Sequence, residues 1–311
     1  MSFDLCVWDK CNNHCRMCTN PDRPWPAFDG SFDYDFESII TRLEKKKAEI
    51  SGEDVIYLTG GEPTIHPQFR DILKYLHNNF PKQTVRLLSN GRSFSYEKYA
   101  AECLALVPGL EIEMSLYGPN AEVHDAVTRA PGSFAQSLAG LKNLLKHRAP
   151  GQNIGLRFVL TRASFQSLSE FFALVEKDLM AIDRLLIIFP EYEAQALKNQ
   201  NNILITYQEM REELDKVKTQ ILELSKKIEL RLYHWSLCQL PPILWPLAWK
   251  TWPAAEVTFT AACEKCSVKK YCVGIHKGYL SAVGDKEFAS VTGNLEIIES
   301  GNEYNPIIPK L

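Results

Sequence analysis

The stretch Lys10–Thr19, KCNNHCRMCT, sets three cysteines, Cys11, Cys15 and Cys18, at spacings of four and three, just after the short apolar run Phe3–Trp8. Three thiolates from one tight loop can hold three irons of a [4Fe–4S] cluster and leave the fourth iron open, because the usual shell takes four cysteines. The open position suits a small molecule with amine and carboxylate groups. A zinc knuckle and an unrelated thiol cluster are the plainer readings. Structural zinc usually takes four ligands with a second Cys/His pair nearby, and no later pair follows at knuckle spacing. His14, inside the loop, reads as solvated.

Outward from this loop, Val55–Leu58 reads as a second buried strand that runs into Thr59-Gly60-Gly61-Glu62-Pro63. Thr84–Leu88 is a third strand, ending in Ser89-Asn90-Gly91; Glu111–Leu116, Ile154–Leu160 and Arg184–Phe189 follow as strands four to six. Helices intervene. Asp35 can cap one with the stripe Phe36, Ile39, Ile40 and Leu43. Pro67 opens the next. Ser133-x-x-Gln136, Ser167-x-x-Glu170 and Thr206-x-x-Glu209 have the form of capping boxes. Strands alternating with helices imply βαβ units, a parallel sheet and right-handed crossovers. Six units are too few for a closed eight-strand barrel. The expected fold class is α/β, a partial (β/α)6 TIM-like barrel over residues 1–230. Such sheets carry chemistry at their C-terminal strand ends, where the cysteine loop, Gly60-Gly61, Ser89-Asn90-Gly91 and Ser115 all fall.

Past residue 230 the texture changes: Gly and Pro recur, Trp235, Trp245, Trp249 and Trp252 crowd together, and cysteines return. Residues 231–311 read as a second, small cysteine-rich α+β domain, with Ala194–Ile205 the polar approach to the last long helix. With 311 residues, 45% of them hydrophobic, there is ample core for both. A net charge of −3 gives no electrostatic footprint for nucleic acid. Nine cysteines in two bunches fit metal ligation in a reducing compartment better than a disulfide framework. No apolar run reaches bilayer length and no signal peptide precedes Cys11. The expected location is the cytoplasm.

CxxxCxxC followed by Gly60-Gly61-Glu62-Pro63 resembles the radical S-adenosylmethionine (SAM) superfamily. Met17 stands where that family often has an aromatic residue. The resemblance implies a SAM-binding [4Fe–4S] cluster on Cys11, Cys15 and Cys18, with Met17 beside it. It implies SAM contacts at Gly60, Gly61 and Glu62. Asn90 would serve a ribose hydroxyl, and Ser115 with Arg129 the SAM carboxylate. An arginine fork suits a carboxylate. For Gly60-Gly61 the alternative is a tight turn, for Asn90-Gly91 an ordinary turn, and for Arg129 a surface salt bridge. His124 and Asp125 read as orienting the loop, Cys6 and Cys103 as core thiols. The alternation of strand five leaves Arg157 facing either inward or outward.

Cys263-x2-Cys266-x5-Cys272, with Cys238 upstream, supplies four thiolates, enough for a second cluster shell or a four-cysteine zinc ribbon. The run from Cys263 to Leu280 resembles the C-terminal auxiliary-cluster domains of radical SAM enzymes, and four cysteines fit the single-cluster "twitch" form better than the fuller SPASM form. The tryptophans read as core and cluster shielding. The implied activity is reductive cleavage of SAM to a 5′-deoxyadenosyl radical, hydrogen abstraction from a substrate, and an oxidative modification such as a crosslink or thioether. An external one-electron reductant of flavodoxin or ferredoxin type would drive it. The C-terminal stretch looks most like peptide-maturase members, so a ribosomally made peptide is the expected substrate. Only ten residues precede Cys11, so no N-terminal leader-binding domain is expected. A small-molecule dehydrogenase or cyclase is the alternative, and a non-catalytic iron–sulfur or zinc protein the third.

Overall fold

The computed structural model describes residues 2–21, 23–27, 30–293 and 296–308. Its centre is one sheet of eight strands in sequence order: β1 (Ser2–Trp8), β2 (Val55–Gly60), β3 (Thr84–Ser89), β4 (Glu111–Ser115), β5 (Asn153–Val159), β6 (Arg184–Ile188), β7 (Glu229–Tyr233) and β8 (Ala248–Trp249). Every neighbouring pair is parallel. Among the described residues β8 does not pair with β1, so the barrel stays open. The sheet therefore runs two strands beyond the six expected. β7 is a short, charge-bearing segment directly after a long helix, and β8 is two residues inside a Pro/Trp-rich stretch, so neither carries a strand period. Both lie past residue 228, which makes Glu229–Trp249 a shared seam between the barrel and the cysteine-rich region.

The strands alternate. Ile56 and Leu58, Val85 and Leu87, Ile112 and Met114, Leu230 and Leu232 are buried against the outer helices. Those are α1 (Phe36–Lys45), α2 (Lys47–Ile50), α3 (Phe69–Asn79), α4 (Glu97–Leu106), α5 (Ala121–Thr128), α6 (Ser133–His147) and α7 (Leu168–Asp178), then the short α8 (Ala194–Lys198) and α9 (Gln200–Ile203), and the long α10 (Tyr207–Ser225). The opposite faces carry charge. Arg86 pairs with Glu111 at 2.5 Å, and Glu113 takes Arg157 at 2.7 Å and Arg184 at 3.3 Å. Glu113 is buried, yet Arg157, Arg86 and Arg184 outweigh that burial and hold its carboxyl below the usual range. Arg157 thus points inward.

Two caps form as read: Asp35 accepts from the Ser38 N–H, and Thr206 with Glu209 closes a reciprocal capping box on α10. Two do not. Ser133 is the first residue of α6, behind Gly132, and Asp125 supplies the cap by accepting from Gly132 N, Phe134 N and Ser133 Oγ. Ser167 sends its hydroxyl back to Ser164 O rather than forward. At α6 a long-range carboxylate replaces the local cap.

Beyond β8 lie three short pieces: β9 (Val257–Thr258) with β10 (Ile275–His276), α11 (Lys277–Val283), and β11 (Ile298–Glu299) with β12 (Ile307–Ile308). Their anchor is aromatic. Tyr207 at the start of α10 stacks on Phe189 at 3.9 Å and donates its N–H to the Tyr279 hydroxyl.

Candidate active site

The cysteine loop leaves β1 at Trp8 and is bolted to the ends of its neighbours. Gly61 N–H donates to Trp8 O at 2.7 Å and Glu62 N–H to Lys10 O at 2.8 Å. His14 N–H and Arg16 N–H reach Thr128 O and Val127 O at the end of α5. The glycine pair is dictated by this packing. A Cβ on Gly61 would stand 2.2 Å from Lys10 O, and one on Gly60, at φ +121°, would stand 2.4 Å from Trp8 O. The close neighbour of both is the root of the cysteine loop itself.

Glu62 is buried, and its carboxylate is engaged by the protein. Oε1 accepts from Thr64 N, Thr64 Oγ1 and Ser89 Oγ, and Oε2 accepts from Asn90 N at 2.6 Å. Burial pushes its carboxyl pKa up, against those donors. It ties the end of β2 to the end of β3. Asn90 is engaged too: Nδ2 donates to Asn12 Oδ1 at 2.7 Å and lies 3.8 Å from Cys11 Sγ, while Oδ1 accepts from Arg92 N. Arg92 then holds Asn12 O and Asn13 Oδ1. The stretch Ser89–Arg92 therefore clamps the cysteine loop, and the Asn90 amide is turned to that loop.

All ten residues singled out in the N-terminal part line one cavity of about 660 Å³: Cys11, Cys15, Met17, Cys18, Gly60, Gly61, Glu62, Asn90, Ser115 and Arg129. The Cys15 thiol is pushed well above the ordinary range by burial and then by its neighbours Cys11 and Cys18. Cys11 is raised by burial, against the Asn13 N–H and Arg23. Arg129 sits at the left-handed C-cap of α5 (φ 54°) with its side chain exposed. Asn13, 2% exposed, lines the same cavity with its Nδ2 unpartnered. An orphaned amide donor in the cavity that the three thiols line fits a bound group rich in sulfur. Among the described residues no three or more His, Cys, Asp or Glu side chains gather tightly enough to hold a single metal ion.

Of the wall that follows, the sequence singles out Arg157 alone, without fixing its direction. Tyr117, Arg157, Glu191 and His234 line the same cavity with Gln195 and Asn199. His234 adopts φ 71°, rests Nδ1 on Phe189 O at 3.1 Å and lies 3.4 Å from Glu191. Its ring stacks on Trp252 at 4.4 Å, and Trp252 Nε1 donates to Glu191 at 2.7 Å. Such a strained, buried residue on a cavity wall marks a site. The polar approach to α10 folds as a strap on the cysteine loop: Ala196 N–H donates to Cys18 O, Gln195 Nε2 to Pro21 O, and Asn199 Nδ2 to Arg16 O. No periodicity announces such a strap.

Cys238, Cys263, Cys266 and Cys272 line a second, narrow space of about 10 Å³. Cys272 Sγ accepts from Leu237 N at 3.4 Å and Gly274 N at 3.5 Å, Cys238 Sγ from Gln239 Nε2 at 3.6 Å, and Thr260 Oγ1 meets Cys263 Sγ at 3.7 Å. Burial, then Cys272, pushes the Cys238 thiol up to about 11. The remaining two cysteines lie apart. Cys103 is fully buried in α4 and Cys6 takes the Trp25 indole N–H at 3.4 Å.

The family model of the Radical SAM superfamily matches residues 5–174. The mycofactocin maturase MftC of Mycobacterium ulcerans is 33% identical over 143 residues, 45% of this chain and 35% of that protein. The antilisterial bacteriocin subtilosin biosynthesis protein AlbA of Bacillus subtilis is 37% identical over 144 residues, 44% of this chain and 29% of that protein. The chain thus matches about a third of the length of these relatives. In three dimensions it is similar to Streptococcus suis SuiB, solved with its precursor peptide SuiA, at TM-score 0.57 and 14% identity over 74% of this chain and 48% of that one.

Proposed function

The chain belongs to the radical SAM superfamily, and from that premise we propose that it is a peptide-modifying radical enzyme with an auxiliary cluster. The family's cofactors are a SAM-binding [4Fe–4S] cluster and S-adenosylmethionine. When bound, they supply one-electron cleavage of a sulfur–carbon bond and hydrogen abstraction from an unactivated position. Cys11, Cys15 and Cys18 would hold the cluster. Gly60, Gly61, Ser115 and Arg129 would hold SAM, with the Arg129 guanidinium suited to its carboxylate. Glu62, Asn90 and Arg92 keep the loop in place.

The observation that carries this reading is the single cavity that joins the three thiols to a separate, mixed-polarity wall. That wall, Tyr117, Arg157, Glu191 and His234, is the region for substrate. The strap of α8 and α9 ties down the loop through Cys18 O, Pro21 O and Arg16 O, and so would keep its thiols in position. The four C-terminal cysteines would hold an auxiliary [4Fe–4S] cluster whose shell is complete, so it accepts an electron rather than ligating substrate. A peptide substrate is supported by the bacteriocin relative.

The test is anaerobic reconstitution, dithionite and SAM. 5′-Deoxyadenosine is expected from the native chain and none from Cys15→Ala. A native chain with full iron content that yields none would end this reading. A precursor peptide from a neighbouring reading frame should lose about two hydrogens in mass if the outcome is oxidative.

A further inference from the structure

Beside the closed cysteine pocket lies an open concavity of about 650 Å³, and Cys266 and Cys272 line both. A group held by those thiols would therefore border this open concavity. The same concavity is lined by Lys250, Lys269 and Lys270, with Trp252 and Phe259 as its aromatic surface. Lys270 shares Glu299 with the Tyr271 hydroxyl. Lys250 and Lys269 have no carboxylate within salt-bridge distance among the described residues, and Lys269 Nζ rests over the Phe259 ring at 5.1 Å. Phe259 remains 39% exposed. The whole chain carries −3, so this positive patch is local. Trp252 also stacks on His234 of the larger cavity, and so stands between the substrate wall and the lysine-lined face.

We infer that this face is the docking surface for an acidic one-electron carrier protein of flavodoxin type, which removes the electron collected at the auxiliary site. The inference rests on the assignment of an auxiliary cluster to Cys238, Cys263, Cys266 and Cys272. The step balances simply: the reduced auxiliary site loses one electron, the oxidised carrier gains it, and no bond or proton moves. Charge complementarity of this kind speeds encounter and weakens with salt, since charges beyond about 8 Å are screened at physiological ionic strength. An apolar surface with the unpaired Lys250 and Lys269 in its lining suits a weak, transient redox contact. The alternative occupant of a lysine-lined face is an acidic peptide.

The experiment measures the affinity of the reconstituted holoenzyme for a recombinant oxidised flavodoxin by microscale thermophoresis, at low and physiological salt. The double variant Lys250→Glu/Lys269→Glu should bind roughly tenfold more weakly, and raised salt should weaken the native chain in the same direction. Lys226→Glu, on the barrel's outer helix end, should bind as the native chain does. Iron content and the dithionite-driven yield of 5′-deoxyadenosine should match the native chain in every variant. Lys250→Glu alone, remote in sequence from the cysteines, repeats the test if the double variant loses iron. Unchanged affinity in a chain with about eight irons overturns the docking surface and leaves the cluster assignment standing. About four irons overturns the assignment and with it the redox purpose of this face. A flavodoxin that fails to bind while an acidic precursor peptide binds through Lys250 and Lys269 assigns the face to substrate and overturns the proposal.

Discussion

The two cysteine groups differ in what surrounds their sulfurs. The N-terminal three open into about 660 Å³ shared with Arg129 and with Tyr117, Arg157, Glu191 and His234, while the C-terminal four line about 10 Å³. The first group has hydrogen-bond donors on one thiol, Cys11, from Asn13 N and Asn90 Nδ2. The second has donors on Cys238 and Cys272, with the Thr260 hydroxyl beside Cys263. Donors to a thiolate favour the more negative, reduced state of a cluster and so raise its potential. On the proposed reading, the open site would bind and react, and the closed one would take an electron.

Removing one ligand from each group should divide the two sites most sharply. Cys15→Ala is expected to abolish 5′-deoxyadenosine formation. Cys272→Ala is expected to leave that reaction running while iron falls from about eight to about four per chain and the two-hydrogen mass loss of a peptide disappears. Equal loss of 5′-deoxyadenosine in both variants would mean that the two sites do not divide the work.

A smaller effect is expected at Gly61. The Cβ of Gly61→Ala meets Lys10 O at 2.2 Å, so the root of the cysteine loop must move. Overpacking of this kind costs about 1–3 kcal/mol. The variant should melt a few degrees lower and lose iron from the N-terminal site first, leaving about four irons per chain. Retention of all its iron with an unchanged melting curve would show that the loop is held elsewhere.

The parallel sheet is legible in the sequence because long βα repeats carry two periods at once, and the cysteine loop is legible because its three cysteines are local. The candidate site is legible only where its residues lie at strand ends. Glu191 and His234 follow β6 and β7, but β7 hides its period behind the charged residues Glu229 and Arg231, which pair with each other, Glu229 also with Arg184. Gln195 and Asn199 belong to a segment of two short helices that, besides its local hydrogen bonds, donates to Cys18 O, Pro21 O and Arg16 O of the distant cysteine loop. Ser133-x-x-Gln136 misleads for the converse reason: a carboxylate from the preceding helix, Asp125, takes the capping role, and Gln136 pairs with Arg92. Tertiary partners decide such positions.

The weakest perturbation tests whether the two cysteine regions melt as one. The start of α10 joins them: Tyr207 N–H donates to the Tyr279 hydroxyl, Tyr207 OH donates to His234 O, and Gln208 N–H donates to Glu287. Glu209 closes the capping box there and pairs with Arg162, whose hydrogen bond, with help from Thr206, holds its carboxyl down to about 2 against a partial burial that opposes it. A carboxyl depressed in the folded state contributes stability above its ordinary titration range and loses it as pH falls toward the folded value. The pair is partly exposed, 42% and 36%, so screening limits its worth to about 1 kcal/mol or less. Glu209→Gln keeps a capping side chain and removes only the charge. Its melting temperature should lie one to a few degrees below native at pH 7, and the two curves should converge as pH falls from about 4.5 toward about 2. Followed separately by the visible absorbance of iron–sulfur clusters in a Cys15→Ala background and by far-ultraviolet dichroism of the sheet, both signals should shift together. A sheet that melts apart from the C-terminal chromophore would show that the seam at α10 does not couple the two sites.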